Sequence, residues 1–248
     1  MDVIDLFIIF VVGIITASFG TLVGGMSLIT IPTLIFLGLP PLIAIGTNRF
    51  GVLGLLIAGW YKFDRKGMID YKIAFIVAIP GILGSVVGAN LVLQIDEDIL
   101  TKVIAIITFV IFIIIVVKPK LGVQKTKLTI KSHEYLIGII LSFFLGIYVG
   151  FYGGAAGTFL SYILILLFGQ TFLESAGTRK IANFSSAGIA TAIFALSGGI
   201  NYTVGLVLFV GSFVGSYIGA HYSDKIGNIW IKRLFYVVVS AMIIKLIT

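Results

Sequence analysis

The residues of this chain whose types and spacing suit them to chemistry are cations set in apolar sequence. Arg49 sits in "AIGTNRFG", with no charged residue from Leu28 to Ile45 or from Phe50 to Tyr61. A shift of 131 positions brings "GTNR" at 46–49 onto "GTRK" at 177–180, so that Arg49 falls on Lys180. Lys62 is 13 residues further on. If Lys62 marks a membrane edge, a rise of ~1.5 Å per residue puts Arg49 about 20 Å into a core of about 30 Å. A charge at that depth is costly unless it faces a cavity or a partner; snorkelling to the edge is the alternative. The acids Asp2, Asp5, Asp64, Asp70, Asp96, Glu97, Asp98, Glu134 and Asp224 all belong to ends or loops, and Glu174 precedes "GTRK" as a potential partner for Arg179 or Lys180. Cations without acids suit an anion, whereas a cation path or a carboxylate proton relay needs buried carboxylates.

Other groups join these cations. Gly24-Gly25 and Gly153-Gly154 each precede a short apolar run, where a glycine pair can break a helix and expose backbone N–H groups at depth. A helix N-terminus carries roughly half a positive charge and receives anions; close packing is the competing use of such glycines. Thr47, Asn48 and Thr178 read as N-caps of helices beginning at 48 and 179, a role compatible with contacting a substrate oxygen. Asn183 follows Lys180 by three residues and shares its helix face, with a bond to a neighbouring helix as its other use. The candidate substrate-binding set is Gly24, Gly25, Thr47, Asn48, Arg49, Gly153, Gly154, Thr178, Arg179, Lys180 and Asn183. No catalytic or metal-ligand set can be assembled: His133 and His221 are far apart, there is no cysteine, and no Gly-Lys dipeptide opens a nucleotide loop. No cofactor is expected.

The elements that position these groups follow from composition. Of the 248 residues, 59% are hydrophobic and 11% charged, against roughly 25% charged in a soluble domain. Only helices or closed barrels satisfy their backbone in lipid, and the period-2 pattern of barrel strands is missing. Helices are expected at 3–20, 26–38, 48–63, 71–93, 99–117, 135–151, 156–168, 179–197, 203–222 and 229–247. The second and seventh are too short to cross alone. Pro32 and Pro80 are expected to kink or end their helices.

The 131-residue shift also brings Gly38 onto Gly169, "GMIDY" at 67–71 onto "GGINY" at 198–202, and Gly84, Ser85, Gly88 and Ala89 onto Gly215, Ser216, Gly219 and Ala220; one gap brings Gly20 and Gly24 onto Gly150 and Gly154. Five segments per half is an odd number, so the second copy is inserted upside down. The predicted fold is an all-α polytopic membrane protein of two inverted-topology repeats, each with a short interrupted or re-entrant helix. Its parts are a first repeat (1–117), a basic linker (118–134) and a second repeat (135–248). Alternation of these helices puts 14 of the 17 basic residues on one side, Arg179 and Lys180 included. The positive-inside rule makes that side cytoplasmic. The acidic "MDVIDLF" and "QIDEDI" then face out, as do both termini, in the cytoplasmic membrane. "MDVIDLF" reads as a retained helix start, for it lacks a secretory signal's basic region. Inverted repeats with interrupted helices point to a secondary transporter with its site near the midplane.

"GTLVGG…IP…GLPPLIAIGTNR" in the first half and "GFYGGAAGTFLSY…ESAGTRKIANF" in the second resemble the TauE/SafE family of sulfite exporters (TSUP transporters) over nearly the whole chain. The resemblance implies a carrier of sulfite, thiosulfate, sulfonates or related organosulfur anions. Gly24, Gly25, Thr47, Asn48, Arg49, Lys180 and Asn183 match that family's recurring blocks. The chain departs from it in the second glycine block, "YGGAAGT", where many relatives carry an acidic residue and a Gly-Pro pair. The expected function is a secondary transporter of small sulfur-containing anions working by alternating access. An anion channel, or a transporter of another small organic anion, is the alternative. The expected partners are the anion and the bilayer, not nucleic acid; a coupling proton or counter-ion and homo-oligomerisation are left open.

Overall fold

The computed structural model describes residues 2–96, 99 and 130–225. The expected helix at 99–117 beyond its first residue, the expected helix at 229–247, and most of the expected linker lie outside the described residues. Eight helices are described: α1 (Val3–Val23), α2 (Met26–Phe36), α3 (Pro41–Arg65), α4 (Tyr71–Val92), α5 (Ser132–Phe151), α6 (Ala156–Phe168), α7 (Phe172–Leu196) and α8 (Tyr202–His221). Among the described residues there is no strand. The helices α1, α3, α4, α5 and α8 are each long and apolar enough to cross a membrane, and a sixth candidate is the pair α6 and α7, bent by 117° at the break between them. The chain is an all-α polytopic membrane protein.

Two helices start seven residues earlier than expected, and α5 and α8 start three residues and one residue earlier. α3 begins at Pro41 instead of 48, and α7 at Phe172 instead of 179. The local chemistry accounts for both. Proline at the first helical position has its φ preset and no N–H to leave unpaired, and Pro40-Pro41 supplies that start. Thr171 and Glu174 form a reciprocal capping box: the Thr171 N–H donates to Glu174 Oε2 at 2.8 Å, and the Glu174 N–H donates to Thr171 Oγ1 at 3.2 Å. Glu174 thus stands in the first turn of α7, not in a loop. Thr47, Asn48 and Thr178 lie inside helices and cap nothing. Arg179 and Lys180 likewise leave the count of edge cations, which keeps its sign without them. Pro32 and Pro80 lie inside continuous helices, α2 and α4, and end neither.

Small residues decide how the helices pack. A Cβ on Gly84 would lie 2.0 Å from the Phe143 carbonyl oxygen, and one on Gly88 1.9 Å from that of Ile147, so α4 fits α5 only with glycine at both positions. Gly215 and Gly219 meet the Ile14 and Ser18 carbonyl oxygens of α1 in the same way, at 2.1 and 2.2 Å. Such small-residue contacts replace the hydrophobic drive that lipid removes. Contacts that advance together along both chains make α1 and α8 parallel, and likewise α4 and α5. Hydroxyls add direction: Ser212 donates to the Gly51 carbonyl at 2.6 Å and Ser216 to that of Leu55 at 2.7 Å, so α3 runs with α8. Ser85 donates to the Ser186 carbonyl at 2.7 Å, and the Asp70 N–H donates to Thr178 Oγ1 at 3.1 Å, so α7 runs with α4. α3 and α7 cross in opposite senses: Gly59 lies against the Lys180 side chain, and Gly46 against Phe194.

The bundle is therefore α1, α3 and α8 pointing one way and α4, α5 and α7 the other, joined where α3 meets α7. The bond from Ser85 to residue 186 and that from Ser216 to residue 55 are the same bond shifted by 131 positions. So are Asp70 N–H to Thr178 and Asn201 N–H to Thr47, the latter at 2.9 Å.

Candidate functional site

The middles of α3 and α7 are the polar part of the bundle. Each is 25 residues long and bears cations in mid-helix, Arg49 on α3 and the adjacent Arg179 and Lys180 on α7. All three are at most 2% exposed. Next to them the chain breaks twice. Gly24 and Gly25, at φ 92° and 85°, separate α1 from α2, and a turn with Gly153 at φ 65° and Ala155 at φ 56° separates α5 from α6. Only glycine adopts such left-handed angles at little cost, and Ala155 is the one non-glycine residue among the described ones that does so. The second break thus runs to Ala155, and Gly154 is not itself left-handed. The two breaks touch: Thr158 Oγ1 donates to the Val23 carbonyl at 2.8 Å, and a Cβ on Gly24 would lie 2.5 Å from the Thr158 nitrogen.

Between the breaks and the two crossing helices lies a cavity of about 50 Å³. Gly24, Gly25, Arg49, Gly153, Arg179, Lys180 and Asn183, all expected from the sequence, line it. Its wall has internal correspondence. Arg49, Val52 and Leu56 of α3 stand opposite Lys180, Asn183 and Ala187 of α7, each pair 131 positions apart. Gly25, Met26 and Ser27 match Ala155, Ala156 and Gly157 at a spacing of 130. No carboxylate among the described residues lines it.

The three cations are held differently. Arg179 is held by four bonds: Nη1 donates to the Gly157 carbonyl and to Ser161 Oγ, both at 2.8 Å, and Nη2 donates to the carbonyls of Gly20 and Thr21 at 3.2 and 3.0 Å. Lys180 Nζ donates to the Thr21 carbonyl at 2.9 Å. The end of α1, where carbonyls carry the negative end of the helix dipole, thus supplies counter-charge to both. Arg49 has no such help. Its Nε and Nη2 are buried without a hydrogen-bond partner. Its guanidinium lies against Gly153, where a Cβ would come within 1.9 Å of Nη2. An unmatched buried donor costs about 1–3 kcal/mol, and more when charged. A cavity wall that keeps one is chemically prepared for an acceptor.

The sequence profile of the family described as sulfite exporter TauE/SafE matches residues 9–246. The chain belongs to this family. A probable membrane transporter protein of Haemophilus influenzae is 34% identical over 86% of this chain and 83% of its own length. The probable membrane transporter protein ORF9 of a Sinorhizobium species is 28% identical over 96% of this chain and 91% of its own. The probable membrane transporter protein YfcA of Escherichia coli is 26% identical over 97% and 88%. No solved structure matches the chain.

In this TauE/SafE protein four expected site residues lie outside the cavity wall. Thr47 and Thr178 accept the Asn201 and Asp70 N–H groups and tie α3 to the start of α8 and α7 to the start of α4. Asn48 turns to α2, donating from Nδ2 to Ser27 Oγ at 2.9 Å and accepting the Thr30 hydroxyl at Oδ1. Gly154 contributes only a carbonyl, which accepts the Tyr148 hydroxyl at 2.5 Å. The cavity wall also includes residues that sequence reasoning passed over. Ser27 and Gly157 carry a legible signal, since they follow the two glycine breaks at matched positions. The apolar Val52, Leu55, Leu56, Val149 and Ala187 look like any other core residue until the helices cross.

Proposed function

We propose that this TauE/SafE protein is a secondary transporter that moves small sulfur-containing anions such as sulfite, thiosulfate or sulfonates across the cytoplasmic membrane, by alternating access between two inverted halves. The observation that carries the reading is Arg49: a buried guanidinium with unpartnered donors, facing a cavity lined by two further cations and, among the described residues, by no carboxylate. Size supports the substrate class. A water-sized position needs ~10–15 Å³, so about 50 Å³ is space for roughly four such positions, the scale of a four- or five-atom oxyanion. The opposed directions of the two helix groups, and hydrogen bonds that recur 131 positions apart, support inverted halves meeting at this cavity. The charge distribution along the chain supports both termini outside.

In this reading the anion takes the free donors of Arg49 and competes with the Thr21 carbonyl for Lys180. The test is uptake of labelled sulfite, thiosulfate, sulfonates and chloride into vesicles reconstituted with the purified protein, under imposed pH gradients. Saturable uptake with counterflow of a sulfur oxyanion supports the carrier. Flux that neither saturates nor shows counterflow is that of a channel, and the absence of anion flux refutes the proposal.

A further inference from the structure

The short helix α2 holds a hydroxyl whose orientation is determined from behind. Ser27 is 6% exposed and lines the cavity. Behind it, the Thr30 hydroxyl has two acceptors within reach, the Met26 carbonyl at 3.2 Å and Asn48 Oδ1 closer; the closer one takes the proton, which leaves the Asn48 amide N–H₂ to face Ser27. Asn48 Nδ2 then donates to Ser27 Oγ at 2.9 Å. A hydroxyl has one proton and two lone pairs. Because Ser27 accepts from Asn48, its own proton is not used in that bond, and Ser27 Oγ donates no hydrogen bond to another described residue. The order of donation is Thr30 to Asn48 to Ser27, and the cavity is open volume beside Ser27.

We propose that Ser27 is an uncharged hydrogen-bond donor to the transported anion, set in that role by Thr30 and Asn48. It is a specificity-determining residue that requires a proton-free acceptor atom on the ligand, which suits an oxyanion. This rests on the reading of the cavity as an anion site and adds the group that recognises an oxygen where Arg49 and Lys180 recognise charge. Among the described residues the second half has no equivalent relay. The position matching Asn48 is Arg179, which grips Ser161 and the Gly157 carbonyl directly. The donor therefore belongs to the first half alone.

Reconstituted protein carrying Ser27→Ala is expected to show a KM for sulfite raised about tenfold, the cost of one hydrogen bond to a charged group, with kcat within about twofold of wild type. Ser27→Thr, which keeps the hydroxyl, restores the KM. An unchanged KM in Ser27→Ala, or Ser27→Thr behaving as Ser27→Ala does, overturns the assignment. A second measurement does not depend on flux. The chain has no cysteine, so Ser27→Cys supplies a single thiol whose alkylation methanesulfonate should slow. Alkylation that methanesulfonate leaves unchanged places the residue outside the site and also overturns it. If wild-type vesicles move no oxyanion while the thiol is still protected, the transport reading fails and the Ser27 contact stands.

Discussion

Helices α3 and α7 meet around one cavity with corresponding residues, yet they hold their cations in opposite ways. On α7, Arg179 and Lys180 are bound to carbonyl oxygens at the end of α1, to the Gly157 carbonyl and to Ser161. On α3 the matching positions are Asn48 and Arg49. Asn48 makes neutral bonds to Ser27 and Thr30, and Arg49 keeps two buried donors unpaired. The difference separates two uses of a buried charge. A guanidinium that satisfies backbone carbonyls holds helices together, whereas one with unpartnered donors on a cavity wall is, in the proposed reading, the anion's ligand.

The largest expected effect tests that separation directly. Arg49→Met should lower kcat/KM for sulfite uptake by about 100-fold or more, on the scale of losing a charged hydrogen-bonding partner at a buried site. The same substitution should leave the empty protein as stable as wild type or more so, because it removes a buried charge that nothing compensates. Arg179→Met should do the reverse to stability. It abandons four hydrogen bonds and leaves the carbonyls of Gly20, Thr21 and Gly157 with one donor fewer each, a loss of about 2–4 kcal/mol readable as a lower thermal midpoint in detergent. Equal effects of the two substitutions on stability would erase the distinction.

The glycine breaks give a smaller contrast. Gly153→Ala must accommodate a Cβ 1.9 Å from the Arg49 guanidinium as well as a φ of 65°, so sulfite uptake should fall about tenfold, as for a misplaced binding group. Gly25→Ala meets no atom nearer than 3.9 Å and carries only the strain of φ 85°. It should cost about 1–2 kcal/mol of stability and little transport. The smallest effect concerns the ties shared by both halves. Thr47→Val and Thr178→Val each remove one acceptor of a backbone N–H at the start of a neighbouring helix. Each should cost about 1 kcal/mol, and by similar amounts, in denaturation monitored by tryptophan fluorescence. Unequal costs would show that the two ties are not equivalent.

Much of this was legible in the residues. Long apolar runs marked the spanning helices, and the spacing of "GTNR" and "GTRK" marked Arg49 and Lys180 before any helix was placed. The starts of α2, α4 and α6 were recovered, but those of α3 and α7 were not, although Pro40-Pro41 and the Thr171/Glu174 box are local signals for them. The low charge near 48 and 179 drew attention to the cations and away from the caps upstream. Partners of Arg179 were beyond reach, because Gly20 and Thr21 are backbone carbonyls 159 and 158 residues away and a carbonyl leaves no trace in residue type. Thr47 and Thr178 are polar in a membrane helix for packing reasons that look like binding reasons in one dimension. Ser27 was missed because a serine in the first turn of a helix is ordinary until its hydroxyl is seen to face a cavity.

The most direct test is a thermal midpoint with and without sulfite, measured on wild type and Arg49→Met in the same detergent. Ligand at a hundred times its Kd stabilises a protein by about 2.7 kcal/mol. Wild type should therefore gain a clear rise in midpoint, whereas Arg49→Met, at least as stable when empty, should gain none. An equal sulfite-dependent rise in both proteins would contradict the assignment of Arg49 as the anion's ligand.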